Sequence, residues 1–138
     1  MRKTVLAAAA LLALSACSPP AAQTAAPACA APLKPALQID LYFGLATKGR
    51  EIGEAEWAAF LGEEVTPRFP DGLSVIEVAG QYRNPSGTIL RERSKLLVVV
   101  VLDAPAHLAK VQAIVDAYKK QFNQLSVLRV ERAICAAF

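Results

Sequence analysis

The segment Asn84-Pro85-Ser86-Gly87 places the tightest constraint on how this chain folds. Asparagine, proline, serine and glycine are the residues that tight turns favour. The segment separates two long runs, residues 73–83 and 88–102, that are rich in apolar and β-branched side chains and have the composition of strands. Two strands joined by so short a turn predict an antiparallel hairpin.

A strand and a helix are predicted before the hairpin. Residues 37–45 alternate between apolar and polar or small side chains, as in a strand with one buried face. Residues 54–65 place Trp57 and Phe60 on one helical stripe, so this segment predicts an amphipathic helix. Pro67 follows and ends that helix, because proline cannot continue the hydrogen-bond pattern.

A second helix and a last strand are predicted after the hairpin. Asp103 suits an N-cap and Pro105 suits the first turn of a helix that runs to Phe122. Residues 126–134 then form the last strand. The order β-α-β-β-α-β is that of the α+β ferredoxin-like fold. Its usual form is a four-stranded antiparallel sheet in spatial order 4-1-3-2 with both helices on one face.

The chain begins with the pattern of a bacterial export signal. Two basic residues precede an apolar run over residues 4–14, which is too short to span a membrane. The sequence Leu-Ser-Ala-Cys that ends at Cys17 resembles the lipobox of bacterial lipoproteins. The resemblance implies that residues 1–16 are a lipoprotein signal peptide and that Cys17 carries the lipid. The alternative is an ordinary secreted protein that is cut just before Cys17.

The predicted localisation is therefore the cell envelope, with the protein anchored in a membrane and facing the periplasm. Ser18 favours the outer over the inner membrane in enteric-type sorting. Residues 17–36 are mostly Ala and Pro and predict an extended tether. Residues 37–138 are enough for a single folded domain.

A disulfide between Cys29 and Cys135 is predicted from the topology. The first and last strands are antiparallel neighbours in this fold, so Cys135 lies near the point where the tether enters. Cys29 is eight residues before Leu37 and can span about 26 Å if the chain is extended. An oxidising periplasm permits the bond. The alternative is two free or intermolecular thiols, because pairing cannot be proved from sequence.

Alternating polar residues predict a basic, open face of the sheet. Arg91, Arg93 and Lys95 share one side of the third strand. Matching alternation puts Tyr42 of the first strand and Arg129 of the last strand on the same face, away from the helices. Such a face can hold a small anionic ligand, because Arg and Lys donate charge-assisted hydrogen bonds to carboxylate or phosphate. The alternative is a solvated face whose charges pair across strands.

The apolar run over residues 96–102 predicts a covered surface. Seven consecutive apolar residues make both faces of the strand apolar, and burial on both sides is the usual reason for such a run. The helices cover only one side. We expect a second copy of the domain, the tether or a ligand to cover the other, and a homodimer through the open face is common in this architecture.

No catalytic residue, metal site or cofactor is predicted. One His and three Cys leave little material for a His-rich metal site or a Ser-His-Asp triad. The sole histidine, His107, is predicted to be an exposed surface residue. Removal of the leader leaves 13 basic and 12 acidic residues, a balance that gives no electrostatic drive toward nucleic acid.

Several segments resemble a known family. They are residues 63–73 (EEVTPRFPDGL), 91–95 (RERSK), 117–122 (AYKKQF) and 126–130 (SVLRV). They resemble the bacterial domain of unknown function 3574, found in small exported or lipid-anchored proteins. The resemblance extends from about Asp40 to the C-terminus and implies no activity.

The sequence therefore predicts a lipid-anchored envelope protein that acts as a non-enzymatic binding domain for a small anionic ligand or an envelope protein. One alternative is an enzyme acting on a small anionic molecule at the open face or a dimer interface. Another is a lipoprotein that only scaffolds other envelope proteins.

Overall fold

The computed structural model describes residues 28–102 and 106–137. The predicted signal peptide, Cys17, most of the tether and the predicted cap at Asp103 with Pro105 lie outside these residues. In chain order the elements are β1 (Lys34–Gly44), β2 (Ala46–Thr47), β3 (Arg50–Glu51), α1 (Glu54–Phe60), a π-helical turn (Leu61–Val65), β4 (Ser74–Arg83), β5 (Ile89–Val101), α2 (His107–Phe122) and β6 (Leu128–Ala136).

The four long strands form one antiparallel sheet in spatial order β4-β5-β1-β6. Counting these four strands alone, the order is the expected 4-1-3-2. Both helices pack on one face, because their buried residues join the same core as β1 and β5. The α+β fold is confirmed. β2 and β3 form a separate small hairpin that was not predicted, and Gly49 supplies the left-handed backbone of its turn with φ 77°.

An aromatic cluster fills the core between the sheet and the helices. The rings of Phe43 and Tyr118 lie 4.6 Å apart between centroids, and those of Phe60 and Tyr118 lie 5.1 Å apart. The Tyr118 hydroxyl donates a hydrogen bond of 2.9 Å to the carbonyl of Gly44. Burial raises the pKa of Tyr118, with a smaller contribution from the charge of Glu92. α2 is therefore tied to the end of β1 by both packing and a hydrogen bond.

The predicted helix over residues 54–65 changes its geometry at Leu61. The amide of Thr66 donates to the carbonyl of Leu61, five residues back, at 2.9 Å, which is the π-helical pattern. Phe60 and Val65 are both fully buried. In a continuous α-helix, side chains five residues apart point in directions that differ by about 140°. The wider turn brings both side chains to the core, where a continuous α-helix would separate them.

The predicted disulfide between Cys29 and Cys135 is confirmed. The two Cα atoms lie 5.6 Å apart. The β1–β6 register places Pro35 opposite Cys135, and the chain before it turns back through a hydrogen bond of 2.9 Å from Leu33 to Ala30. The bond therefore closes the N-terminal end of the domain onto its last strand.

Candidate binding site

Three of the predicted ligand residues lie on the side of the sheet that carries the helices. Lys95 is directly opposite the core residue Phe43. Side chains two apart on a strand share a face, so Arg91 and Arg93 point to the same side. The prediction that they line the open face is wrong. Arg93 is tolerated there because about half of its side chain is exposed, and Lys95 is tolerated because carboxylates pair with it.

The other two candidates lie apart from these residues and from each other. Arg129 is opposite Leu41, so it also lies on the helix side, at the β6 edge, where it pairs with Glu131. Tyr42 is opposite Leu96, on the open face. Of the five predicted ligand residues, only the three basic residues of β5 are brought together.

Arg93 and Lys95 are held in a cluster of ion pairs. The Lys95 ammonium, on a residue only 4% exposed, lies 2.8 Å from Glu54 and 2.7 Å from Glu77. The Arg93 guanidinium lies 2.8 Å from Glu51. The hydrogen bonds that Lys95 donates to Glu54 and Glu77 raise the pKa of Lys95, and Lys95 lowers the pKa of Glu77. The carboxylates of the chain itself therefore neutralise these two cations.

Arg91 lies in the wall of a groove under the β4–β5 hairpin. Between Ser94 and the turn of the β4–β5 hairpin, β5 pairs with β4 but not with β1. This end of the β4–β5 hairpin overhangs the small β2–β3 hairpin. The groove between them has a volume of 710 Å³, and its charged lining residues are Arg50, Glu51, Arg91, Glu92 and Arg93. Within residues 28–102 and 106–137, Arg91 makes no ion pair, so it is the cation available to a ligand.

The Glu92 side chain projects from the open face of β5, opposite to those of Arg91 and Arg93, and its carboxylate lies against Gly44. A Cβ atom added to Gly44 would lie 2.9 Å from the Glu92 carboxylate oxygens, so a larger residue there would displace this carboxylate. Burial raises the pKa of Glu92. No cation pairs with it in the described part of the chain.

Replacing this carboxylate, in Glu92→Gln, should stabilise the domain at neutral pH and have little effect in acid. The folded-state pKa is raised, so the protonated form favours folding, and stability is lost as the pH rises above the ordinary value near 4.5. Gln keeps the shape without the charge. In urea unfolding at pH 7 we expect a gain of less than about 1 kcal/mol, which disappears at pH 4. Glu63→Gln, at an exposed position, is the matched control, and an equal gain there would contradict the assignment.

The open face of the sheet carries aliphatic or aromatic side chains from all four strands, together with a few polar ones. Its apolar residues, assigned by the register, include Tyr42, Ile76, Val78, Leu96, Val98, Val100, Leu128 and Val130. Ile76 is 50% exposed and Leu128 is 60% exposed. Near the middle, the buried carboxylate of Asp40 accepts hydrogen bonds from Gln38, at 2.8 Å, and from Arg132. No described helix covers this face, although the apolar run over residues 96–102 predicts a cover.

The prediction that His107 is a surface residue is wrong. Its ring is buried, with the residue 4% exposed, and it lines a second groove at the start of α2. Neither ring nitrogen has a hydrogen-bond partner among the described residues. The nearest ionised group is Glu131, whose carboxylate oxygen lies 3.7 Å from Nε2. Nothing in the local sequence pattern indicates this burial, because a lone histidine carries no periodicity.

Residues 28–102 and 106–137 contain neither a group of potential metal ligands nor a helix that could span a membrane. No group of three or more His, Cys, Asp or Glu residues there is placed to hold a metal ion. No helix in this part of the chain is both long and apolar enough to cross a membrane.

A family model described as "Protein of unknown function (DUF3574)" matches residues 38–138. The chain belongs to this family. No curated protein matches the sequence of this DUF3574 protein.

Two solved structures resemble the fold of the DUF3574 protein. One is a phage SAM lyase in complex with S-methyl-5'-thioadenosine, with a TM-score of 0.56 and 17% identity, covering 75% of this chain and 90% of that one. The other is a phage SAM lyase in the apo state, with a TM-score of 0.53 and 18% identity, covering 73% and 84%. At such low identity the likeness shows the fold alone.

Proposed function

We propose that this DUF3574 protein is a lipid-anchored protein of the bacterial cell envelope whose domain is a non-enzymatic binding module. In this proposal Cys17 carries the lipid and the domain pairs with a second copy through the open face. The export-type leader and the lipobox-like sequence support the anchor. The observation that carries the binding role is the open face itself, which presents apolar side chains from all four strands.

A second copy is the partner that suits this face best. Contiguous exposed apolar surface marks interaction sites, because its burial removes it from water. A two-fold contact lets the same patch serve both partners, and two twisted sheets pack face to face about 10 Å apart. Arg132 neutralises the Asp40 carboxylate within each copy, so a contact centred on Asp40 does not bury that carboxylate as an unpaired charge.

Native mass spectrometry of the full chain tests the anchor and the pairing together. The protein is produced in a bacterium with its leader, extracted from the membrane fraction in mild detergent and measured over a range of concentrations. We expect a chain that begins at Cys17, carries acyl chains and forms a dimer. An unlipidated mass would contradict the anchor, and a monomer at every concentration would contradict the pairing.

Two matched variants test whether the open face of the sheet is the dimer interface. Ile76→Lys places a charge on the open face, where desolvating it at an interface is costly, so the dimer should weaken at least tenfold. Ile89→Lys is the control, because Ile89 is 46% exposed but projects from the helix side of the hairpin. Equal weakening by both variants would mean that the open face is not the interface.

An enzyme acting on a small molecule is the second candidate. It is favoured by the resemblance to a phage SAM lyase and by the groove under the hairpin, where Arg91 is unpaired. In the same measurement, S-methyl-5'-thioadenosine is added in excess. A retained mass that Arg91→Gln abolishes would establish the small-molecule site in this groove that the enzyme candidate requires, and no retained mass would count against that candidate.

A further inference from the structure

The groove at the start of α2 lies at the end of the sheet, away from the groove under the hairpin. The β4–β5 ladder begins at Ser74 opposite Val98, so the last residues of β5 pair with β1 on one side and with no described strand on the other. The groove forms along this edge and has a volume of 480 Å³. Residues 98–102 and Phe69 give it apolar walls.

His107 is the polar group in this groove that lacks partners. Its two ring nitrogens are buried without hydrogen bonds among the described residues, and Glu131 is already paired with Arg129. An unmade hydrogen bond at a buried polar atom destabilises the folded state. A ligand that accepts from the imidazole N–H would recover that free energy.

The other polar groups around the groove favour an anion of single charge. Lys110 lines it and holds its ammonium 5.8 Å from the centre of the Phe69 ring, and no described carboxylate pairs with it. Arg68 also lines the groove but pairs with Glu64 at 2.9 Å, and Asp71 contributes one negative charge. One free cation, beside one carboxylate, suits a monoanion better than a doubly charged phosphate.

We propose that this groove binds a small organic carboxylate whose carboxylate group accepts hydrogen bonds from His107 and Lys110 and whose carbon body packs on the end of β5. The start of α2 adds to the attraction, because the positive end of the helix dipole faces the same end of the domain.

The single histidine makes the site directly observable. Selective ¹³C labelling of histidine at the ring carbon Cε1 gives one signal, from His107, in the detergent-solubilised full chain. We expect butyrate to shift this signal saturably, 1-butanol to leave it unchanged at equal concentration, and inorganic phosphate to bind more weakly than butyrate. No saturable shift with butyrate, an equal shift with butanol, or tighter binding of phosphate would each overturn the proposal.

Two lysine variants locate the binding residue. Lys110→Gln removes a charge-assisted hydrogen bond, so the affinity for butyrate should fall about tenfold, the equivalent of about 1.4 kcal/mol. Lys120→Gln, on an exposed position of the same helix, is the matched control and should leave the affinity unchanged. Equal affinities in both variants would place the ligand elsewhere.

Discussion

A double variant that lacks the disulfide, Cys29→Ser with Cys135→Ser, should lose about 2–5 kcal/mol of unfolding free energy. The bond closes a loop with a sequence separation of 106 residues, and a loop of this length restricts the unfolded chain strongly. Urea unfolding at neutral pH under oxidising conditions measures the difference. The urea dependence should also steepen, because an uncrosslinked unfolded chain exposes more surface.

Reduction of the natural protein is the control for this change. With a reductant present, its unfolding midpoint should move to that of the double variant, because both then lack the same constraint. If the reductant lowers the midpoint of the double variant as well, the loss does not come from the bond between these two cysteines.

Phe60→Ala, which removes one ring of the aromatic cluster, should lower the unfolding free energy by about 3–5 kcal/mol. Phe60 is fully buried and its ring contacts those of Phe43, Trp57, Tyr118 and Phe122 at centroid distances of 5.1–5.9 Å. Removing the ring forfeits its burial and leaves a cavity that the rigid sheet and helices only partly fill. Urea unfolding of the purified variant gives the free-energy change.

Leu125→Ala is the control for loss of an apolar side chain. Leu125 is 94% exposed, so its truncation should change the unfolding free energy by less than about 0.5 kcal/mol. A similar loss of unfolding free energy in both variants would contradict the prediction that burial in the aromatic cluster makes Phe60 important for stability.

The fold was predictable because its signals are regular. Alternation along β1, the turn at Asn84-Pro85-Ser86-Gly87 and the helical stripe of α2 each repeat over many residues, and together they fix the strand order. The disulfide followed from that order. The π-helical turn was not predictable, because the same sequence fits an α-helix until both Phe60 and Val65 must reach one core.

The site was less predictable because it depends on the pairing register of the strands and on which parts of the sheet the helices cover. In β5 the apolar side chains from Leu96 onward lie on both faces, so the pattern does not say which face meets the helices. The Glu77–Lys95 pairing was recoverable by counting outward from the hairpin turn once its geometry is known. The partnerless burial of His107 depends on the meeting of the α2 start with the end of the sheet, which no local pattern encodes.

The bond between Cys29 and Cys135 also determines how the domain responds to traction. Cys29 is joined to the end of β6, and β1 begins a few residues later as the hydrogen-bonded neighbour of β6. A pull on the chain that precedes Cys29 is therefore shared by two adjacent strands. A force that separates β1 from the sheet, starting at the N-terminal end of β1, must therefore also displace β6 or break the disulfide. The domain thus resists tension from its N-terminal side as a single mechanical unit.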